Sequence, residues 1–433
     1  MWSQVPSRST LTLFVLAFGA SAFTGQDTST AVAVVGARVY TSPDEPVLAD
    51  ATVVAARGEV VAVGPRESVG VPAGARIIDG TGGTLAAGFW NSHVHFTAPQ
   101  WTDAASLPPD RVSQQLVEML TRYGYTTVFD TGSYLENTAA LRLRVESGEL
   151  SGPRILTAGE PFVAKGGTPY YLAPIQLPEL LTTAQAREAV RHHLAAGADA
   201  IKLHAGAIVD NARDVRVAIP LELVRAVVME AHRQGRAVLA HPQDLDGLSV
   251  SVDGGVDVLL HVTELMERWP ADMLTRAVER KMALVPTLKL LAGMQATAKQ
   301  SHLLQQVQDY AAAGGDILFG TDVGFVADYD PEEEYVLLHK AGMSVLDILR
   351  SLTVTPAMRF RPSARTGRIA VGYEGDLVLL DGDPEQDVRN FARVRATLRG
   401  GQIIFANPAL PDTAAAEAAA AHRRGPDVHV ARN

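Results

Sequence analysis

Two rhythms of apolar and polar positions divide the chain. From Ala31 to Gly82, short Val-rich runs (AVAVVGARVY, ATVVAARGEVVAVG, ARIIDGTGG) break at Gly, Pro and Asp, as strands and turns do. From Thr84 the pattern changes to brief apolar runs separated by longer stretches of helical period. The runs are AAGFWNSHVHF, TTVFDTG, RILTAGE, AIKLHAG, AVLAHP, VLLHV, ALVPTL and ILFGTDVG; the stretches between them include RVSQQLVEMLTRYG, TAQAREAVRHHLAAG and PLELVRAVVMEAHRQG. Eight such runs alternating with helices predict an α/β chain whose parallel strands close into a (β/α)8 barrel. Further helices follow Gly324, and β character returns in GRIAVGYEGDLVLLDGDP and VRATLRGGQIIF. A barrel brings its ends together, so residues 31–83 and 364–406 are expected to form one small composite β-sandwich domain beside a barrel of residues 84–363. The Ala-rich tail, residues 407–433, is given no chemistry.

Composition narrows the classes. Apolar residues make up 47% of the 433 and charged residues 20%, enough to bury a large core. The net charge of −10 is spread along the chain without a basic patch, so no nucleic-acid partner is expected. Cysteine is absent, which leaves His, carboxylates and modified Lys as the available metal ligands. At the N-terminus, Arg8 precedes an apolar stretch from Leu11 to Ala22 that ends in Ala20-Ser21-Ala22. This predicts a signal peptide over residues 1–22, export to the periplasm or medium, and no stable membrane anchor after cleavage.

Active sites of such barrels lie at the C-terminal ends of the strands. The first run ends in His93-Val94-His95, the fourth in Lys202-Leu203-His204, the fifth in His241, the sixth in His261 and the eighth in Asp322. Each has a bland reading by itself: a His-x-His pair arises by chance, His241 and His261 could be core histidines, and Asp322 a helix N-cap. Together, at successive strand ends, they read as a metal site. His93 and His95, two apart on an extended segment, face one side and can share a cation. Lys202 is costly to keep charged inside a barrel. It is expected either to lose its proton and take up carbon dioxide, becoming a carbamate (N6-carboxylysine) that bridges two divalent cations, or to pair with a buried carboxylate.

These motifs, with GARVYTSPDEPVLADATVVAARGEVVAVG, GGTLAAGFWNSHVHF, GYTTVFDTGS, GADAIKLHAG, EAHRQGRAVLAHP and GGVDVLLHVTE, resemble the amidohydrolase superfamily in its imidazolonepropionase-like and prolidase-like branch. The resemblance runs from Ala31 to Phe405 and implies a TIM barrel, a β-sandwich and a binuclear site, usually zinc. It would place His93, His95 and Asp322 on the more buried metal, His241 and His261 on the more exposed one, and carboxylated Lys202 between them. Mononuclear deaminases of the family lack the lysine and carry a Glu three residues after the fifth-strand histidine. Here that position is Asp244, which points instead to amide and peptide cleavage. The resemblance implies that two cations would supply Lewis acidity and lower the pKa of water, and that Asp322 would accept a proton and return it to the departing nitrogen.

Specificity resides in the loops. His204 is a candidate catalytic or substrate contact, and Trp101, Tyr170, Tyr171 and Lys289 are candidate substrate contacts. Aromatic loops with a cation would suit a small N-acyl amino acid or dipeptide with a bulky side chain. Hydroxide attack would equally serve a lactone, carbamate or organophosphate ester. A non-catalytic scaffold would have lost ligand residues, and none is missing. Assembly as a homo-oligomer is expected by family analogy alone.

Overall fold

The computed structural model describes residues 31–294 and 297–408, so the leader and most of the tail lie outside the described residues. Eight parallel strands form the barrel: Phe89–Val94, Tyr125–Asp130, Arg154–Thr157, Ala200–His204, Ala237–His241, Val258–Leu260, Ala283–Val285 and Asp316–Ile317. Their ladder runs as a group of three and a group of five. Individual backbone hydrogen bonds span the two seams. Asp199 N donates to Thr157 O (2.7 Å) and Phe162 N to Lys202 O (2.9 Å) at one. Ser92 N donates to Phe319 O (2.8 Å) and Asp322 N to His93 O (2.9 Å) at the other.

Strand alternation decides which side chains face inward. Ile201 and Leu203 join the large outer core against the helices, whereas Ala200 belongs to the barrel's inner cluster with Leu239, Val258, Leu260 and Val285. Lys202 and His204 share the parity of Ala200 and face the interior. His204 pairs in register with His241 on the next strand.

Both chain ends enter a second sheet. Its strands Val32–Val39, Leu48–Ala56, Glu59–Pro65, Arg76–Asp79 and Thr84–Ala87 join Leu377–Leu380, Val394–Arg399 and Gln402–Ala406 in continuous hydrogen bonding. Val60 near one edge and Leu398 near the other lie in one apolar cluster, so the sheet wraps round its own core. Ala86, Val378 and Leu380 on the opposite face pack into the barrel core. Strand Thr84–Ala87 pairs with Leu377–Leu380, which moves the end of the sheet segment from the expected residue 83 to Ala87.

Helix Leu288–Met294 follows the seventh strand and supplies Leu290, Leu291 and Met294 to a cavity at the strand ends. Its first N–H groups are met by Glu334, a fully buried carboxylate that accepts from Leu288 N (2.9 Å) and Lys289 N (2.6 Å). Burial pushes the Glu334 pKa up to about 7, from 4.5. The folded chain therefore holds this proton more tightly than the unfolded chain. Glu334 should then withdraw roughly 3 kcal/mol of stability as pH rises from ~4.5 to ~7. Glu334→Gln is expected to flatten that part of the stability–pH curve in urea titrations; an unchanged slope would refute the assignment.

Candidate metal centre and substrate cavity

Three ligand atoms converge at the seam between the eighth and first strands. His93 Nε2 and His95 Nε2 are 3.2 Å apart, and Asp322 Oδ1 lies 3.4 Å from the first and 2.9 Å from the second. Asp322 Oδ2 is 3.7 Å from His261 Nε2. The rings then continue as an arc, with centroid separations of 4.7 Å for His93–His261, 4.6 Å for His261–His241 and 5.1 Å for His241–His204.

Local chain geometry aims these side chains. The register against the second strand breaks between Asn91 and Val94, a bulge that turns His93 and His95 towards the interior while Val94 joins the outer core. His261 follows the inward-facing Leu260, so regular alternation would point it outward. Its φ of 72° redirects it into the cavity, and Asp322 has a φ of 60°. Left-handed backbone at two such residues is strain held at the site. Gly324, with a φ of 102°, lets the eighth-strand loop close on the His95 carbonyl, where a Cβ would fall 1.9 Å from that oxygen.

Hydrogen bonds assign the tautomers. His95 Nδ1 lies 3.0 Å from Gly132 O, which only accepts, so Nδ1 carries the proton and Nε2 of the neutral ring is bare. The Thr287 hydroxyl donates to Pro286 O (2.8 Å) and therefore accepts from His261 Nδ1, leaving His261 Nε2 bare as well. A bare nitrogen 2.9 Å from a carboxylate oxygen is two acceptors facing each other, and Asp322 Oδ1 is buried without a hydrogen-bond donor. A cation between them satisfies all three atoms, so the donor set fits a divalent metal. Burial, followed by the neighbouring rings and Lys202, lowers the pKa of His93 and His261 well below the usual histidine value. Burial and then Lys202 lower His241 to about 3. These rings stay neutral, the form that binds metal.

Lys202 lies among them, 3% exposed. Burial lowers its pKa to about 8 against the opposing charges of Asp322 and Asp130. No carboxylate oxygen lies within 4.0 Å of its ammonium among the described residues, so the buried salt-bridge alternative is not what the structure shows.

Several supporting residues were not singled out from the sequence. Asn91 ties the first strand to the eighth: its Nδ2 donates to Thr321 Oγ1 (2.7 Å), and its Oδ1 accepts from His93 N and Thr321 N (3.2 Å each). Asp130, fully buried at the end of the second strand, accepts from Ser133 Oγ (2.6 Å) and Thr157 Oγ1 (2.7 Å). Ser133 Oγ in turn accepts from Phe96 N (2.8 Å), which fixes the loop whose Gly132 carbonyl orients His95. Burial raises the Asp130 pKa. Its strand-end position was the available signal.

The rings open on a cavity of about 480 Å³. His204, Tyr170 and Tyr171 line it, and Tyr171 meets Phe325 edge-on at 5.7 Å. Two expected contacts are corrected. Trp101 is 1% exposed and packs edge-on against Phe96 at 5.1 Å, outside the cavity lining. Lys289 points into a separate, acidic cleft, where its ammonium meets Asp328 Oδ2 (2.7 Å) and Asp330 O (2.6 Å). Asp244 is also away from the cavity; it caps helix Leu245–Gly254 by accepting from Gly247 N at 2.9 Å.

This architecture has recognisable kin. The amidohydrolase family pattern matches residues 84–404. The chain is 26% identical over 370 residues to the ochratoxinase of Aspergillus niger, covering 74% of this chain and 75% of the relative. A prolidase solved with N-methylphosphonate-L-proline superposes with a TM-score of 0.72 at 25% identity, over 87% of this chain and 100% of that one. A Xaa-Pro dipeptidase with methionine bound in its active site superposes with a TM-score of 0.74 over 87% and 100%; at 20% identity it speaks for the fold alone. The chain belongs to the amidohydrolase family. It is a hydrolase acting on carbon–nitrogen bonds.

Proposed function

We propose that this protein is an exported hydrolase that binds two divalent cations, zinc by family habit, and cleaves an amide or peptide bond in a dipeptide-like or N-acyl amino-acid substrate. The observation that carries the reading is the meeting of His93, His95 and Asp322 ligand atoms in one cavity lined also by Lys202, His241 and His261. His93, His95 and Asp322 would hold one cation, His241 and His261 the other, and Lys202 as its carbamate would join them. Bound there, the cations would supply Lewis acidity and lower the pKa of water. Asp322 lies within reach of both the ligand nitrogens and the open cavity, as a group that takes and returns a proton must. Tyr170, Tyr171 and Phe325 offer an apolar wall for a bulky side chain. The substrate class takes its support from the prolidase solved with a proline phosphonate and from ochratoxinase.

Elemental analysis of protein prepared with and without zinc and bicarbonate, alongside a panel of dipeptides, N-acyl amino acids and matched esters, tests this. About two equivalents of metal per chain with bicarbonate-sensitive amide cleavage is the expected result. One equivalent without a bicarbonate effect would remove the bridge, and turnover of esters alone would remove the amide assignment.

A further inference from the structure

Glu160 has no part in the metal centre, yet it lines the same cavity. It stands just beyond the third strand, Arg154–Thr157, and is gripped from behind. Its Oε2 accepts from Leu135 N at 3.3 Å and lies 3.6 Å from Nε2 of the buried His193. Gly159 makes room for that ring. Its φ is +64°, and a Cβ there would fall 2.8 Å from His193 Nε2. Burial lowers the His193 pKa, so the ring backs the carboxylate without neutralising it. The other oxygen, Oε1, has no protein partner among the described residues. The adjacent Pro161 packs with His95 around Gly132, which puts this carboxylate one short step from the metal ligands. Tyr170, Tyr171 and Phe325 line the same cavity, as does a second carboxylate, Glu264.

A carboxylate fixed through one oxygen in a mainly apolar wall presents the other as a ready acceptor for a donor group. We propose that Glu160 binds the α-ammonium group of the substrate, so that the enzyme selects aminoacyl amides and dipeptides with a free amine over their N-acylated counterparts. This rests on the amide-hydrolase reading and chooses between the two substrate types it admits. The ammonium charge is met by Glu160, the apolar side chain by the aromatic wall, and the scissile carbonyl faces the histidine cluster. Glu160 is then a specificity residue.

The test pairs binding with turnover at neutral pH, using the metal-loaded protein. Calorimetry compares L-phenylalaninamide with N-acetyl-L-phenylalaninamide; kinetics compare the 4-nitroanilides of L-phenylalanine and N-acetyl-L-phenylalanine. The wild type should favour the free amine by roughly 10- to 100-fold in both readouts, the usual range for a charge-assisted hydrogen bond. Glu160→Gln keeps the shape and an acceptor for Leu135 N. It should erase the preference by weakening the amine ligand alone. Equal affinity for the two amides, binding of neither, or an equal loss of both in the variant would overturn the proposal. A residue that only caps the helix beginning at Leu135 would shift the unfolding temperature and leave discrimination intact. If the binding preference holds while neither anilide is cleaved, the amine site stands and the hydrolytic reading fails; cleavage of both anilides without preference gives the reverse.

Discussion

Asp322→Asn is expected to lower kcat by roughly 10²- to 10⁴-fold, the usual contribution of a positioned acid–base group, while metal content stays close to wild type. The substitution is clean for three reasons. Asparagine has nearly the same volume and keeps one carbonyl oxygen for ligation. It tolerates the left-handed backbone that Asp322 adopts at φ 60°, where alanine would add strain. It cannot accept a proton in the carboxylate's range, so the variant separates proton transfer from metal binding. Elemental analysis and steady-state kinetics on the same preparation decide the matter. Full metal with lost turnover supports the acid–base role. Lost metal and turnover recovered by added zinc would make Asp322 a ligand only, and unchanged turnover would exclude it from both roles.

Much of this site was legible because barrel strands state their ends in sequence. A short apolar run closing on His, Lys or Asp places that residue at the rim, and the eight runs keep the ring order. The inward parity of Lys202 follows from strand alternation, as does the shared side of His93 and His95 across the outward Val94, although a bulge between Asn91 and Val94 sets their phase on the first strand. His261 and Asp322 were placed at the right strand ends, but their aim depends on left-handed backbone that no periodicity announces. Loop contacts were harder still. Trp101 lies after the first strand and Lys289 after the seventh, and sequence position says nothing about which way a loop folds back. Trp101 was taken by the core through Phe96 and Asn137, which donates to its carbonyl at 2.9 Å. Lys289 was taken by Asp328 and Asp330, 39 and 41 residues away, in contacts only the folded chain creates. Buried supports such as Asn91, Asp130 and Glu334 are silent for the same reason: folding brings the Thr321 hydroxyl to Asn91, the Thr157 hydroxyl to Asp130 and the Leu288 and Lys289 N–H groups to Glu334.

Lys202→Met should change sign with metal. In metal-free protein the lysine buries an amine among histidines with no carboxylate within 4.0 Å among the described residues, and burial already pulls its pKa to about 8. Methionine fills a similar length with apolar atoms, so the metal-free variant should gain on the order of 1–3 kcal/mol, read as a higher urea midpoint. With metal the opposite is expected. A carbamate arises when the ammonium gives up one proton and the neutral Nζ then bonds the carbon of carbon dioxide and releases a second, turning a cationic side chain into an anionic ligand. Methionine cannot make that bond. The variant should therefore hold about one metal equivalent where the wild type holds about two, and lose the response to bicarbonate. It should also gain less than the wild type in unfolding temperature on metal addition, because ligand binding stabilises in proportion to the sites filled. A short carboxylate such as propionate, supplied in solution, should restore part of the second equivalent. If Lys202→Met keeps full metal content and full activity, the lysine is not a bridge, and the cluster is a single-cation site. A variant that is destabilised in both forms would show that the ammonium has a packing role that outweighs the cost of its burial.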